Sequence, residues 1–482
     1  MDIHIIPLII LVAYFVITQI IATVVLRKKM GAEHYLVAGR ALPTLIVLVV
    51  ILGDWLGGGS VIGVAQRGYN QGVVGWIYPI SIGIALLLFA FTMAARYRRV
   101  GVVTVPEVVG KVFDNKTRVV TALMIAIAYY ILFVTTTVSG GALLAPLLGV
   151  DKWVADLITV VIFLAIVVTG GLSSIALVNI VQVVVIYVGM IVGLVYALIF
   201  IGGSVTGGFS KLVTDLPPSF WSFGAISPVT WGGELIAVIF TCFAAQAAVT
   251  AVFAAKDEKA AIRGNLYTGL LIIPIGIVFV LIGMCARAYF GNELPFGLSA
   301  SPAMMLALNP VVAGIGLCGA WAAIVSTGPL VILAVVQIVM RDFYRPYINS
   351  NASDRKVLLY SRLITIVFGV IAFILATTMY QLLETIFWAF AIRAGIGIIL
   401  LTAVYIGVRR ISENGAFWGL IIGLVALIGW TVAGSPLGIH VVVPTIIVVF
   451  VASIIISKFR KRRAELSSEI QEALHPRREL HD

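Results

Sequence analysis

Ile51-Leu-Gly-Asp-Trp-Leu-Gly-Gly-Gly-Ser-Val-Ile-Gly63 places an acid and three consecutive glycines inside an otherwise apolar stretch. Each glycine costs a helix roughly 1 kcal/mol relative to alanine. Asp54, at the depth of a bilayer centre, costs about 2.5–3.5 kcal/mol on insertion scales. A patch of small residues that lets two helices pack closely accounts for Gly57, Gly58 and Gly59, but leaves the adjacent acid unexplained. A helix that unwinds halfway across a membrane accounts for both, because freed carbonyls coordinate a cation and freed N–H groups meet a polar solute. We read residues 51–63 as the break in a discontinuous membrane helix.

Outward from that stretch the chain keeps the same character. Of its 482 residues, 61% are hydrophobic and 11% charged, whereas soluble domains carry roughly a quarter charged residues. The apolar residues fall into blocks near 4–26, 42–65, 73–94, 118–140, 153–170, 175–202, 231–254, 266–288, 311–339, 357–379, 383–407, 415–433 and 439–457. Each is about the twenty residues that a helix needs to cross roughly 30 Å of hydrocarbon. The pattern predicts an all-α polytopic membrane protein of about 13 transmembrane helices. The first block is too long for a signal peptide and lacks a basic leader. Arg27, Lys28 and Lys29 follow it, the charge order of a retained helix with its N-terminus outside.

From that start the loops alternate and their charges divide. Arg27, Lys28, Lys29 and Arg40, six cations at 96–118, three at 256–263, five at 341–362, two at 409–410 and seven in the tail put 27 of the 32 Lys and Arg on one side. Arg67, Lys152, Lys211 and Arg287 face the other, and Arg393 lies within a span. Such asymmetry fixes topology and span parity together. The net charge of +11 therefore reflects insertion and contact with anionic membrane lipids, not the electrostatic footprint of nucleic-acid binding.

The ninth block holds Ala323-Ile-Val-Ser-Thr-Gly-Pro329. Helical hydroxyls usually donate to a carbonyl one turn back. Two adjacent ones, beside the Val325 carbonyl that Pro329 deprives of its amide partner, also form a set of oxygens suited to a hard cation. Arg393 either fixes the fold through a buried acid or carbonyls, or clamps a substrate carboxylate with paired N–H groups. Glu384 lies about two and a half turns away and is a poor direct partner; Asp54 could pair with Arg393 across the bundle, and the pair could open when solute binds. Arg393 favours an acidic solute, Asp54 an amine, and both together a zwitterion.

Other residues narrow the class. Cys242, Cys285 and Cys318 all lie in spans, without metal spacing or a disulfide framework, and read as small packing residues. The sequons at Asn115 and Asn351 fall on the inner side and say nothing of glycosylation. His4, His34, His440, His475 and His481 lie at span ends, in loops or in the tail, where they build no catalytic constellation. The outer loop at about 203–230, with Pro217, Pro218 and Trp221, reads as an interfacial segment or part of an external gate. A channel needs a continuous polar lining, whereas these spans offer isolated polar groups near one depth; a sensor usually carries a signalling domain.

Short motifs complete the reading. Tyr35-Leu-Val-Ala-Gly-Arg40 precedes Gly57-Gly-Gly-Ser60 and Ile62-Gly63, with Tyr69 and Gly72 after them. Then come Thr104-Val-Pro-Glu107, Gly170-Gly-Leu172, Gln182, Lys256-Asp257, and the Ala323…Ser326-Thr327 block ending in Asp342-Phe-Tyr-Arg345. In this order they resemble the sodium:solute symporter family, from the end of the first span to the ninth. The resemblance implies a LeuT-type fold of two inverted five-helix repeats. These are expected at 42–203 and 231–408, with an outer loop at 204–230 between them, one helix in 1–41 before them, two helices at 409–457 after them and a basic inner tail at 458–482. Two pairs of similar segments, Gly53–Gly58 with Thr241–Gln246 and Val134–Thr137 with Val325–Thr327, agree with a repeat.

The resemblance also implies the chemistry. Sodium would be held by the carbonyls of Gly53, Leu56 and Ala323 and the hydroxyls of Ser326 and Thr327. The solute would sit beside the break, near Asp54, Trp55, Gly57, Gly58, Gly59, Ser60, Phe243, Gln246, Trp388 and Arg393. Many family members carry an Asp three residues before the glutamine of the fifth repeat helix; this chain has Asn179 before Gln182. The expectation is one sodium per solute, with Thr135, Thr136 and Thr137 as the alternative lining for a second. The implied function is sodium-coupled import of a small organic solute, an amino acid or small carboxylate, by alternating access. No enzyme activity is implied, and no cofactor beyond Na+ as coupling ion. Proton coupling through Asp54 is the alternative. The expected location is the plasma membrane, an inner membrane of bacterial or archaeal type, with the N-terminus outside and the C-terminus cytoplasmic.

Overall fold

The apolar blocks fold as helices, and the glycine-rich stretch as a break between two of them. The computed structural model describes residues 5–24, 31–295, 298–378, 382–407, 410–460 and 466–474. Of the residues used in the charge argument, Arg27, Lys28, Lys29, Arg409, Lys461, Arg462, Arg463, Arg477 and Arg478 lie outside these, as do His4, His475 and His481.

After α1 (Ile5–Val24), α2 (Thr44–Trp55) ends at the Leu56 cap, and a π-helical turn over Gly59–Gly63 resumes the path into α3 (Val64–Gln71). Then follow α4 (Ile77–Thr92), α5 (Ala94–Val100), α6 (Val105–Val112), α7 (Asn115–Leu148) and α8 (Lys152–Gly202). A second break, at residues 243–245, separates α9 (Pro228–Cys242) from α10 (Gln246–Phe253). The chain continues through α11 (Glu258–Phe290), α12 (Pro310–Ile338), α13 (Asp354–Ala376), α14 (Leu382–Leu401), α15 (Glu413–Val432), α16 (Val442–Phe459) and the short α17 (Ser468–Leu474).

Among the described residues, 11 helical stretches are long and apolar enough to cross a membrane. Two of them hold two crossings each. The stretch Gly59–Thr92 runs from the second half of the broken helix into α4, and α8 joins the predicted 153–170 and 175–202 spans end to end. Inside α8 the helix turns sharply at Gly170 (φ −154°) and Gly171 (φ 55°, ψ −138°). Only glycine suits the second position, because φ is positive there and a Cβ would fall 2.3 Å from the Tyr35 carbonyl oxygen. The thirteen crossings read from the sequence are therefore present.

Local signals set the helix starts. Thr104 caps α6 in a reciprocal box with Glu107, while Asp114 and Asp257 cap α7 and α11. Helix α12 is buried along nearly its whole length, while α1, α13, α15 and α16 leave most of their apolar surface for lipid. Cys242, Cys285 and Cys318 are all buried.

The loops predicted to share a side meet at one end of the bundle, called here the basic end. Arg40 Nη2 donates to the Gly101 carbonyl (2.9 Å), Arg98 Nε to the Ala255 carbonyl (2.5 Å), and Arg118 pairs with Asp342 (2.7 Å). At the other end Arg67 pairs with Glu234 (2.7 Å) and Arg287 lies over the Tyr69 and Phe220 rings, which ties the 203–230 loop to α3. The basic tail follows α16 at this end. Its described part is docked: Ile470, Ala473 and Leu474 are buried, and Arg96 Nε on α5 donates to the Leu474 carbonyl (2.8 Å).

Candidate functional site

Carbonyls in the last turn of α2 have no following helical turn to satisfy them, and they take side-chain donors instead. The Gly53 carbonyl accepts from Ser326 Oγ at 3.0 Å and from Thr327 Oγ1 at 2.6 Å. The Trp55 carbonyl accepts from Ser60 Oγ. Both α12 hydroxyls also reach the Ala323 carbonyl, at 2.8 and 3.3 Å. Gly53, Ala323, Ser326 and Thr327 thus converge, and their neutral oxygens are the hard ligands that suit an alkali cation. Leu56, at the cap, bonds through its N–H to the Leu52 carbonyl (2.8 Å), and no hydrogen bond joins it to the hydroxyl pair among the described residues.

This convergence requires glycine at 53. A Cβ there would lie 2.2 Å from Asn179 Nδ2 and 3.2 Å from Ser326 Cβ. Gly53→Ala is expected to cost about 1–3 kcal/mol of stability through overpacking, measured by unfolding in detergent; an unchanged unfolding midpoint would contradict the close approach. Asn179 is buried beside this point, and neither amide atom has a hydrogen-bond partner among the described residues.

Beside the break lies a cavity of ≈60 Å³. Asp54, Trp55, Gly57, Gly58, Gly59, Ser60 and Arg393 line it, and Thr327 borders it from the side of the Gly53 carbonyl. Sequence reasoning did not single out Tyr78, Ile386 and Phe390, which also line the cavity, and gave Thr135 and Thr136 only an ion-binding alternative; Ser139 joins those two on the α7 wall. Phe390 stacks on Tyr78 (6.3 Å between centroids) and meets Trp55 edge-on (6.2 Å). Nothing in an apolar helix distinguishes such aromatics from ordinary packing. The Thr-Thr-Thr run on α7 was the one available signal.

Asp54 and Arg393 share this cavity, but the expected direct ion pair is not formed. Arg393 Nη1 donates to Tyr129 Oη (3.0 Å) and Nε to the Ala389 carbonyl (3.2 Å), with the guanidinium 4.9 Å from the Tyr129 ring centre and 4.8 Å from that of Phe390. The second helix break supplies the reason. Its freed N–H groups need acceptors: Ala247 N–H goes to Tyr129 Oη (3.0 Å) and Ala248 N–H faces the Asp54 carboxylate. Asp54 and Tyr129 each serve the start of α10, and Arg393 reaches that point through the tyrosine. Tyr129→Phe and Arg393→Gln are therefore expected to be non-additive by about 1 kcal/mol in unfolding measurements; strictly additive losses would separate the two residues.

Three residues expected near the solute stand elsewhere. Phe243 packs on Phe89, and its carbonyl accepts from Tyr97 Oη (2.7 Å). The Gln246 amide is fully buried toward the basic end, where Oε1 accepts from Val105 N–H (2.7 Å) and Nε2 donates to the Val103 carbonyl (3.1 Å) and to Gln337 Oε1 (3.3 Å). Trp388 lines a separate chamber of ≈690 Å³ at the other end, with Arg67, Glu234, Phe387 and His440.

The two ends are unlike. On the basic side the cavity is backed by the Gln246–Gln337 amides, by Leu42 bridging to Ala255, and by Thr104 Oγ1 donating to Asp342 Oδ2 (2.8 Å) while Arg118 Nε donates to Asp342 Oδ1 (2.7 Å). The opposite end holds the large chamber lined by Arg67, Glu234 and Trp388. Two broken helices around one small polar cavity are the arrangement on which many secondary transporters are built.

The family model of the sodium:solute symporters matches residues 35–423, and the chain belongs to that family. Its relatives include an osmoregulated proline transporter of Bacillus subtilis, 24% identical over 94% of this chain and 95% of that protein. A sodium/glucose cotransporter of Vibrio parahaemolyticus is 26% identical over 83% of this chain and 80% of that protein. The fold matches a solved Na+-coupled sialic acid symporter in a substrate-bound outward-open state, with a TM-score of 0.81 at 17% identity, over 96% of this chain and 99% of the other. The architecture is accordingly the LeuT-type inverted repeat with one leading and two trailing helices, and the protein is a multi-pass membrane transporter, not an enzyme.

Proposed function

We propose that the protein imports a small organic solute together with sodium, one ion per solute, by alternating access. The observation that carries this reading is the meeting of the Gly53 and Ala323 carbonyls with the Ser326 and Thr327 hydroxyls between a helix break and α12. Neutral oxygens suit an ion that must be released again, and the Leu56 carbonyl at the open end of α2 completes the proposed set. A bound sodium would draw α2 and α12 together and so hold the wall of the solute cavity in place. That is how ion binding raises solute affinity, and linkage makes the effect reciprocal.

The solute class follows from the lining. Asp54 and the hydroxyls of Ser60, Thr135, Thr136 and Ser139 offer acceptors, Arg393 offers donors, and Trp55, Tyr78 and Phe390 supply apolar faces. The small volume, ≈60 Å³, favours a compact solute such as an amino acid or small carboxylate. Asn179 in place of an acid supports a single ion. The basic end is placed in the cytoplasm by the positive-inside rule, with the N-terminus outside and the chain in a plasma membrane.

A thermal-shift screen of amino acids, carboxylates, sugars and quaternary amines, each with and without sodium, tests this. A ligand at about 100 times its dissociation constant stabilises the folded state by roughly 2.7 kcal/mol. Hits among amino acids or carboxylates that strengthen with sodium are expected. Equal shifts in sodium and potassium would contradict coupling, and hits confined to sugars would contradict the solute class.

A further inference from the structure

The basic end holds a crevice that the transport reading does not use. It encloses ≈390 Å³ among the turn after α5, helix α6, the start of α7 and the segment after α12, and its walls include Glu107, Lys111, Asn115, Arg118 and Arg341. Charge there is unevenly matched. Arg118 is occupied, with Nε on Asp342 Oδ1 (2.7 Å) and Nη2 on the Arg341 carbonyl (2.9 Å). Glu107 is occupied too, because its Oε2 takes the Val103 and Thr104 N–H groups at the α6 cap. Its Oε1 lies 3.6 Å from Arg118 and 3.8 Å from Arg341, too far for a hydrogen bond.

Arg341 is left under-satisfied. Its buried Nε faces Glu107 Oε1 at 3.8 Å without a hydrogen bond, and the attraction of Glu107 is opposed by Arg345 and Arg40 nearby. Lys111 makes one bond, to the Val100 carbonyl at 3.2 Å, which leaves two ammonium N–H directions open. Asn115 begins α7 on the same wall; the Asp114 carboxylate caps the Thr117 N–H there (2.8 Å), which leaves the Asn115 and Lys116 N–H groups of the first turn without an intrahelical partner.

We infer that this crevice binds a phosphate group, gripped by Arg341 and Lys111 at the start of α7. Three separate donor groups match a tetrahedral anion with several acceptor oxygens better than they match a planar carboxylate. The phosphate has two sources, the headgroup of an anionic phospholipid or a soluble phosphate, and basic pockets beside membrane helices take the former readily. Arg118 joins the Arg341 carbonyl to Asp342, so a phosphate that fixes Arg341 also stiffens the Thr104–Asp342 latch and favours the closed basic end. The inference does not depend on which solute is carried.

The test uses the purified full-length protein in phosphatidylcholine nanodiscs, with inorganic phosphate added in one arm and phosphatidylglycerol included in another. Either source is expected to raise the unfolding temperature by about 3 °C, and the arm that responds identifies the source. Arg341→Gln and Lys111→Gln should each abolish the shift. Lys116→Gln removes equal charge from the same turn outside the crevice and should keep it. Should Arg341→Gln fail to fold, Lys111→Gln, at an exposed position, decides alone. No shift from either source, or equal loss in Lys116→Gln, would overturn the proposal.

Discussion

Thr327→Ala is expected to raise the sodium concentration for half-maximal uptake at least tenfold. Thr327 Oγ1 is the hydroxyl nearest the Gly53 carbonyl, at 2.6 Å, and it also reaches the Ala323 carbonyl. Losing an oxygen that faces a cation costs about 1.5–3 kcal/mol, which is a tenfold change or more in affinity. The threonine methyl packs against Gly57, where a Cβ would meet Thr327 Cγ2 at 3.1 Å, so some stability is lost as well. Thr327→Ser separates the two effects, because it keeps the oxygen and drops the methyl. Sodium dependence in Thr327→Ser should stay within about threefold of the parent. A well-folded Thr327→Ala with unaltered sodium dependence would remove the hydroxyl from the site.

Asp342→Asn is expected to open the basic end. The Asp342 carboxylate is fully buried and holds Thr104 on one oxygen and Arg118 on the other. The asparagine keeps the shape but loses the charge, and it leaves the Arg118 guanidinium with the Arg341 carbonyl (2.9 Å) and, as its nearest carboxylate, Glu107 at 3.6 Å. A loss of about 1.4 kcal/mol from the closed state shifts its population tenfold. Val103→Cys reports the change, since Val103 is buried and its carbonyl accepts from Gln246. Its labelling by a membrane-impermeant maleimide, applied from the cytoplasmic face, should accelerate about tenfold when Asp342→Asn is added. An unchanged rate would mean that the layer of Gln246 and Gln337 closes this end without the aspartate.

How far the fold was legible follows from these same residues. Helix number and sidedness came from block length and from cations, both of which the membrane imposes on the sequence directly. The break at Leu56 was legible because three glycines and an acid are costly in a spanning helix, and no cheaper arrangement explains them together. The meeting of α12 with the first break was legible through the Ser326-Thr327 pair and the family resemblance. The solute cavity was legible only where a charge or a broken helix marked it. Tyr78 and Phe390 look like any buried aromatics, and their role depends on which way a helix faces. Gln246 misled for a related reason. A buried amide reads as a ligand group, whereas here the N–H of Val105 and the carbonyl of Val103 take it. The Asp54–Arg393 pairing failed because the sequence does not show that the second break leaves N–H groups of its own to satisfy. Tyr129, which meets that need and holds Arg393, carries no charge to announce it.

Reversal potentials test the central claim most directly. The protein is reconstituted in proteoliposomes with imposed gradients of sodium and of the solute found by the thermal screen, and the membrane potential at which net flux stops is measured. The proposed mechanism predicts sodium-dependent flux that reverses at one ion per solute, since Ser326 and Thr327 serve a single cation and Asn179 supplies no charge for another. A ratio of two, or a flux indifferent to the sodium gradient, would contradict it.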